Sequence, residues 1–481
     1  MLTLKHASTG PGSHLALVRL TTLGFLLAGL LCLVLARAGT VQAAGTVTDC
    51  SSDVDLNAKL AGGGLVSFNC AGTAPIIITI TTPGGIVPAS DTAIDGTNNG
   101  NPITLSGGGS TRLFNVQAGL ALTLANISLT DGYAAGGGTS DLGGAIYNQG
   151  GFLVLDHVTI SNSRSIYAGG AIANVAGTTV VMDSLIAHNR SNYAGGIQNS
   201  DMSTVTLSNS TLFSNTADSY GGGIYNRGML LLTTTTLSAN RAITDGGGIY
   251  NYFGVATLTN STLSGNSAPY GGGGIHNNGG TATLNTSTLS GNSAGKGGGG
   301  IFNIDGTATL NNSTLSGNSA TQGGGIYNNF QANLLNVTVS NNSATSGGAL
   351  FMVSGKTIVL TNTILAYSAA GGNCSGTVSA STYSISSDNS CNLPGWLERP
   401  NPNVLDPLLT ALGNYGGPTQ VHMLKALSPA KDAVVGSNAP LFDQRGLPRP
   451  GPDGSFDIGA VERQDNDSDL APRLYLPLLV R

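Results

Sequence analysis

The stretch GGGIYNYFGVATLTNSTLSGNSA, residues 246–268, decides the fold, because the chain on both sides repeats it. Its first phrase, GG-x-I-x-N, recurs with one shortened copy and places asparagines at Asn148, Asn174, Asn199, Asn226, Asn251, Asn277, Asn303 and Asn328, spaced 26, 25, 27, 25, 26, 26 and 25. A degenerate ninth copy, GGALFM, follows. The second phrase, ATLTNSTLSGNSA, returns with Asn292, Asn318 and Asn342 in the place of Asn266. Self-similarity at this period marks a solenoid, in which one supersecondary unit stacks on the next. Each unit offers three β-prone pieces, GIYN, ATLT and STLSGN, separated by Gly, Asn or Ser turns, and none has a 3.6-residue period. The fold expected is therefore all-β, a single-stranded, three-sided parallel β-helix with coils of about 26 residues. Each coil would rise about 4.8 Å, the spacing of paired strands, so about 12 coils make a rod near 60 Å long.

The residue columns make sense in that geometry. Ile and Leu at repeated positions fill a narrow interior, while asparagines stacked coil over coil can join their amides in a ladder. Replacing one inner Asn by Leu is expected to leave turn backbone groups unpaired, at about 1–3 kcal/mol. A leucine-rich repeat overlaps in length and Leu/Asn pattern, but the Gly triplets and the missing helical half weigh against it.

Composition points the same way: 72 glycines, 9% charged and 5% aromatic residues leave few bulky groups for one deep core, so repetition must stabilise the chain. At the front, Lys5 and Arg19 precede an apolar run over residues 23–36, and Val41-Gln42-Ala43 offers small residues for cleavage. Residues 1–43 thus read as a signal peptide, and the protein as secreted or displayed at the cell surface. The apolar run is about 14 residues where a span needs roughly 20, so no transmembrane span is expected in the mature chain. No lipid-attachment pattern surrounds Cys32. Removing the leader takes three of 19 basic residues and none of 24 acidic ones, leaving 16 against 24, a net −8 that argues against nucleic acid as a partner. The remaining cysteines fall as one close pair near each end of the body, and disulfides Cys50–Cys70 and Cys374–Cys391 suit an oxidising compartment, each contributing about 3 kcal/mol.

The GGAIYN and GNSA phrases resemble the right-handed parallel β-helix repeats of pectin-lyase-fold proteins and the GG-A-I repeats of polymorphic outer-membrane proteins. Residues 47–131, from VTDCSSDVDLNAKLAGGGLVSFNC through ITLSGGGSTRLFNV, resemble the opening of bacterial surface β-helix proteins, which implies a short helix around residues 55–60 capping the first coil. The phrases DPLL, NYGGPTQVH, SPAKDA, DQRGLPRP and FDIGAVE resemble the choice-of-anchor Q domain, with Lys431 and Val434 as departures from its SPAIDAG phrase. The organisation expected is a leader over residues 1–43, a cap and first coils over 44–130, repeats over 131–367, a C-terminal cap or anchor-like region over 368–464, and a tail over 465–481.

Enzymes of this fold place carboxylates and a basic residue on neighbouring coils, or pair two carboxylic acids. Residues 133–352 hold no Glu and seven Asp, and only Asp201 and Asp305 share a column, four coils apart at roughly 19 Å. No catalytic residue, metal site or cofactor is expected. His157, His188 and His276 have no regular partners. Asp465-Asn466-Asp467-Ser468-Asp469 has Leu470 and Leu476 where a calcium loop wants Gly and Glu, and reads as a solvated linker. The closing RLYLPLLVR is a sorting tail or a terminal strand.

Two features could bind. Arg164 and Arg190 would stack on adjacent coils, either as solvated turn arginines or as a site for an anionic sugar, and Arg241 occupies the same turn position. Between the Ile and Asn of successive strands lie Tyr225, Tyr250, His276, Phe302, Tyr327 and then Phe351, on the side that strand alternation turns outward. Such a stripe is either a self-stacking ladder or a platform for sugar rings or a partner surface. The function expected is a binding or structural rod acting in adhesion, matrix contact or carbohydrate binding. The alternative is a polysaccharide lyase or glycoside hydrolase with its acids near Asp406, Asp443 and Asp457.

Overall fold

The computed structural model describes residues 43–72, 75–393, 405–434, 439–451, 454–465 and 467. The expected leader lies outside them but for its last residue, as does the tail beyond residue 467. The chain winds into an all-β parallel β-helix of about 12 turns. In one coil, Ile249–Tyr252 forms the first face, Val255–Thr259 the second and Thr262–Ser264 the third. Each pairs in parallel with its equivalents one coil away, so that Ile224, Ile249 and Ile275 align, as do Leu232, Leu258 and Leu284.

The third β-prone piece differs from its expected form. STLSGN does not stay one strand: the residue before the second asparagine is left-handed, with φ +61° at Gly265 and +59° at His188, and turns the chain. The next two residues then form a fourth short strand, Ser267–Ala268 in this coil, and these stack into a separate nine-stranded sheet.

The interior is built by those columns. Ile249, Leu258 and Leu263 are fully buried, and so are their counterparts up and down the rod. Two asparagine ladders run beside them. In the first, Nδ2 of each residue from Asn148 to Asn303 donates to Oδ1 of the next, at 2.7–3.1 Å. In the second, Asn189, Asn215, Asn240, Asn266, Asn292, Asn318 and Asn342 are linked at 2.9–3.0 Å, and each Oδ1 also accepts a backbone N–H at the turn below. Polar side chains can occupy this core because each satisfies a backbone group that a tight turn leaves unpaired.

Helix α1, Asp53–Leu60, covers the first coil where the resemblance placed a cap. Ser52 caps it, Leu56 and Leu60 bury themselves in the hydrophobic core, and Asp53 accepts from Thr81 and Thr82. Both disulfides form, with Cα separations of 5.8 Å for Cys50–Cys70 and 4.7 Å for Cys374–Cys391.

From Leu405 the chain folds back along the third face. Gln444 Nε2 donates to Ser287 O and Thr288 Oγ1, Thr314 Oγ1 donates to Gln444 Oε1 at 2.6 Å, His422 Nε2 lies 2.9 Å from Ser316 Oγ, and Ala460 N donates to Thr338 Oγ1. Thr288, Thr314 and Thr338 are buried in consequence, whereas Thr236 and Thr262, upstream in the same column, stay half-buried.

Candidate functional site

On the first face, Ile and Asn point inward, so the residue between them must point out. Reading that outward column in register gives Tyr147, Ala173, Gln198, Tyr225, Tyr250, His276, Phe302, Tyr327 and Phe351. From Tyr225 to Phe351 the rings touch continuously, with successive centroids 4.5–5.5 Å apart. Of the two readings of the stripe, the rings do stack on one another: Tyr250 and His276 are only 7% and 5% exposed, while Tyr225, Phe302, Tyr327 and Phe351 stay half-buried. His276 Nδ1 lies 3.2 Å from Asp245 Oδ1 without an aligned hydrogen bond at either ring nitrogen.

The column breaks at Ala173 and Gln198. At Gln198 a cleft of about 630 Å³ opens, whereas Ala173 is fully buried and lies outside its lining. Tyr193 and Tyr220, from the turns before the Gly repeats, make one wall, with Tyr167 beside Tyr193 at 5.3 Å between centroids. Tyr225 and Tyr250 close the far end of the floor, Tyr225 lying 5.9 Å from Tyr193 and Tyr250 4.8 Å from Tyr220. The other wall holds Ser200, Asp201, Arg227 and Tyr252. Burial pushes the Tyr250 hydroxyl up to about 12 and the Tyr225 hydroxyl higher still, so both remain neutral O–H donors.

The two charges in the cleft neutralise each other. Arg227 grips Asp201 with Nε at 3.1 Å from Oδ1 and a terminal nitrogen at 2.9 Å from Oδ2, while its guanidinium sits 5.6 Å from the Tyr252 ring centre. Gln198 is 9% exposed: its Nε2 donates to Ser200 Oγ, and its Oε1 is buried without a hydrogen-bond partner among the described residues. A buried acceptor left unpaired costs roughly 1–3 kcal/mol, so it is a group that a ligand hydroxyl would satisfy.

The remaining candidates fall elsewhere. Arg164 and Arg190 are register partners in the fourth sheet, outside the cleft lining. Arg190 is held by Asp218 at 2.8 Å, and Arg164 is exposed. Arg241 is two coils from Arg190, with Thr216 between them. Asp443 and Asp457 are fully buried: Asp443 accepts from Arg445 and from the Leu447 and Glu462 amides, Asp457 from the Asp432 and Arg463 amides. Asp406 accepts from Tyr367 Oη and Leu408 N. Asp156, His157 and Asp183 bring three ligating atoms within 4.8 Å of one another at a solvated corner of two adjacent coils, with His157 Nδ1 2.7 Å from Asp156 Oδ1.

Sequence reasoning missed the turn tyrosines Tyr167, Tyr193 and Tyr220, although their spacing of 26 and 27 ahead of the glycines was visible in IYAGG, NYAGG and SYGGG. It also missed Gln198, Asp201, Arg227 and Tyr252 as one group, since they come from different columns and adjacent coils.

The fold and cleft together define a parallel β-helix protein with an aromatic groove along one face. The chain matches no protein-family model and none of the curated proteins. Among solved structures it is similar to the crystal structure of the pectate lyase Pel9A, at 14% identity over 83% of this chain and 88% of that one, with a TM-score of 0.27. At that identity and score the likeness carries nothing about activity. Among the described residues no helix is long and apolar enough to cross a membrane.

Proposed function

We propose that the protein is an extracytoplasmic β-helix that binds polysaccharide in its tyrosine-lined cleft, acting as a scaffold or adhesion element rather than as a catalyst. The observation that carries this reading is the break in the ring column at Gln198, where a cleft opens that is lined by Tyr167, Tyr193, Tyr220, Tyr225, Tyr250 and Tyr252. Pyranose rings present apolar C–H faces that stack on aromatic rings and hydroxyls that bond to polar groups beside them. Coils repeat at about 4.8 Å, close to the advance of one sugar residue along an extended chain, so successive coils can meet successive sugars. Two disulfides fit an oxidising compartment, in keeping with export and display at the cell surface.

Retention in affinity gels cast with a panel of neutral and acidic polysaccharides tests this. Tyr193→Ala and Tyr220→Ala should each weaken retention roughly 3- to 10-fold. Arg164→Ala, outside the cleft, should leave it unchanged. Unaltered mobility of the parent protein across the panel would refute glycan binding. A rise in absorbance from unsaturated products on pectin or alginate with calcium would establish a lyase instead.

A further inference from the structure

We infer that the cleft takes an uncharged pyranose chain, with Gln198 Oε1 accepting a sugar hydroxyl, in preference to a polyuronate. This rests on the glycan reading above and sharpens it. Three observations carry it. The lining holds one cation and one anion, Arg227 and Asp201, and they are joined bidentately, so no unpaired guanidinium remains there to meet a sugar carboxylate. Of the neighbouring arginines, Arg190 is engaged by Asp218 and Arg112 by the Gly143, Thr139, Ser140 and Leu142 carbonyls, while the exposed Arg164 lies outside the lining. One polar atom of the lining residue Gln198 lacks a partner among the described residues, the acceptor Oε1; it is buried, and a turn of the side chain toward the cleft would offer it to a sugar hydroxyl but not to a carboxylate, which has no proton to donate.

Long-range electrostatics act in the same direction. The chain carries 24 acidic against 19 basic residues, a formal net charge of −5, which opposes the approach of a polyanion at low salt. The tyrosine hydroxyls stay neutral and can donate to ring or hydroxyl oxygens of either sugar class, so they do not discriminate. Discrimination falls to the paired charges and to Gln198.

Affinity electrophoresis on glucomannan, xylan and hydroxyethylcellulose, set against polygalacturonate and alginate without calcium, tests this. The parent should be retained by at least one neutral glycan more strongly than by either acidic one, with retention insensitive to added salt. Gln198→Leu should weaken that retention roughly 3- to 10-fold. Unchanged native-state hydrogen exchange in the surrounding coils would show that the helix is intact. Preferential retention on polygalacturonate or alginate, lost on Tyr193→Ala, would overturn the neutral-ligand inference while glycan binding stood. Neutral-glycan retention untouched by Gln198→Leu would overturn the role of Gln198. Absence of retention on every glycan would overturn the inference together with glycan binding itself.

Discussion

Asn266→Leu isolates what the second ladder contributes. Asn266 is fully buried; its Nδ2 donates to Asn292 Oδ1 and Leu237 O, both at 2.9 Å, and its Oδ1 accepts from Asn240 N and Nδ2, both at 3.0 Å. Leucine keeps the same branched skeleton with bulkier methyl groups and removes all four bonds. Two of the partner atoms keep another bond: Asn292 Oδ1 still accepts from the backbone of residue 266, and Asn240 Nδ2 still donates to Leu212 O. Asn240 N and Leu237 O lose the bonds that Asn266 made to them, at about 1–3 kcal/mol each. The substitution should therefore destabilise the two coils by about 2–6 kcal/mol, more than one lost bond alone. A rod of stacked coils is not one two-state unit, so a single melting temperature is the wrong readout. Native-state hydrogen exchange resolves the coils: at about 1.4 kcal/mol per factor of ten, amide protection around residues 236–268 should fall roughly 30- to 20,000-fold, and distant coils should change far less. Protection within ten-fold of the parent in those coils would refute the ladder as a stabilising element.

Two further outcomes follow from the same geometry. A Cβ on Gly247 would lie 2.5 Å from Ser267 N and O and 2.6 Å from Gly273 O, all backbone, so Gly247→Ala should cost about 3 kcal/mol or more; Gly265, at φ +61° with open space around it, should accept Asn within about 1 kcal/mol, as Asn341 and Asn162 already do in that column. Amide protection in the coils around each site checks the contrast, and equal losses in the two variants would sink it. Burial, with the Glu462 charge next, pushes the Asp457 carboxyl up to about 7. Its folded pKa exceeds the unfolded value near 4, so the native state binds more protons between them; stability should fall as pH rises from about 4 to about 7 and then level off. Exchange protection of residues 439–465 should thus be higher near pH 5 than near pH 8, and Asp457→Asn should flatten that slope; a variant with the parent's slope would refute the assignment.

How far the fold could be read from sequence depended on which constraints were periodic. The Asn, Ile, Leu and Gly columns are dictated coil by coil by the same local geometry, so their spacing alone specified the rod, its interior and the existence of ladders. The fourth strand was hidden because two residues, such as Ser267–Ala268, are too short to carry a period-2 pattern, and because the left-handed residue ahead of them is His188 in one coil and Gly265 in another. The fold-back of the C-terminal segment was hidden for a different reason. Gln444, His422 and Ala460 meet threonines and serines more than a hundred residues away, through contacts made once and never repeated.

The candidate site was obscured by the same logic in reverse. A repeat search finds what recurs, and it found the rings from Tyr225 to Phe351. Recurrence, though, lets rings stack on one another, and stacking removes them from solvent: Tyr250 and His276 are buried by the very regularity that drew attention to them. What a ligand can enter is the interruption. Gln198 replaces a ring with an amide, and the room left there is walled in by the turn tyrosines. In a solenoid whose regular columns are consumed by self-association, binding capacity is concentrated where a column fails, and Gln198 with its unpaired Oε1 is where this column fails with an acceptor still to satisfy.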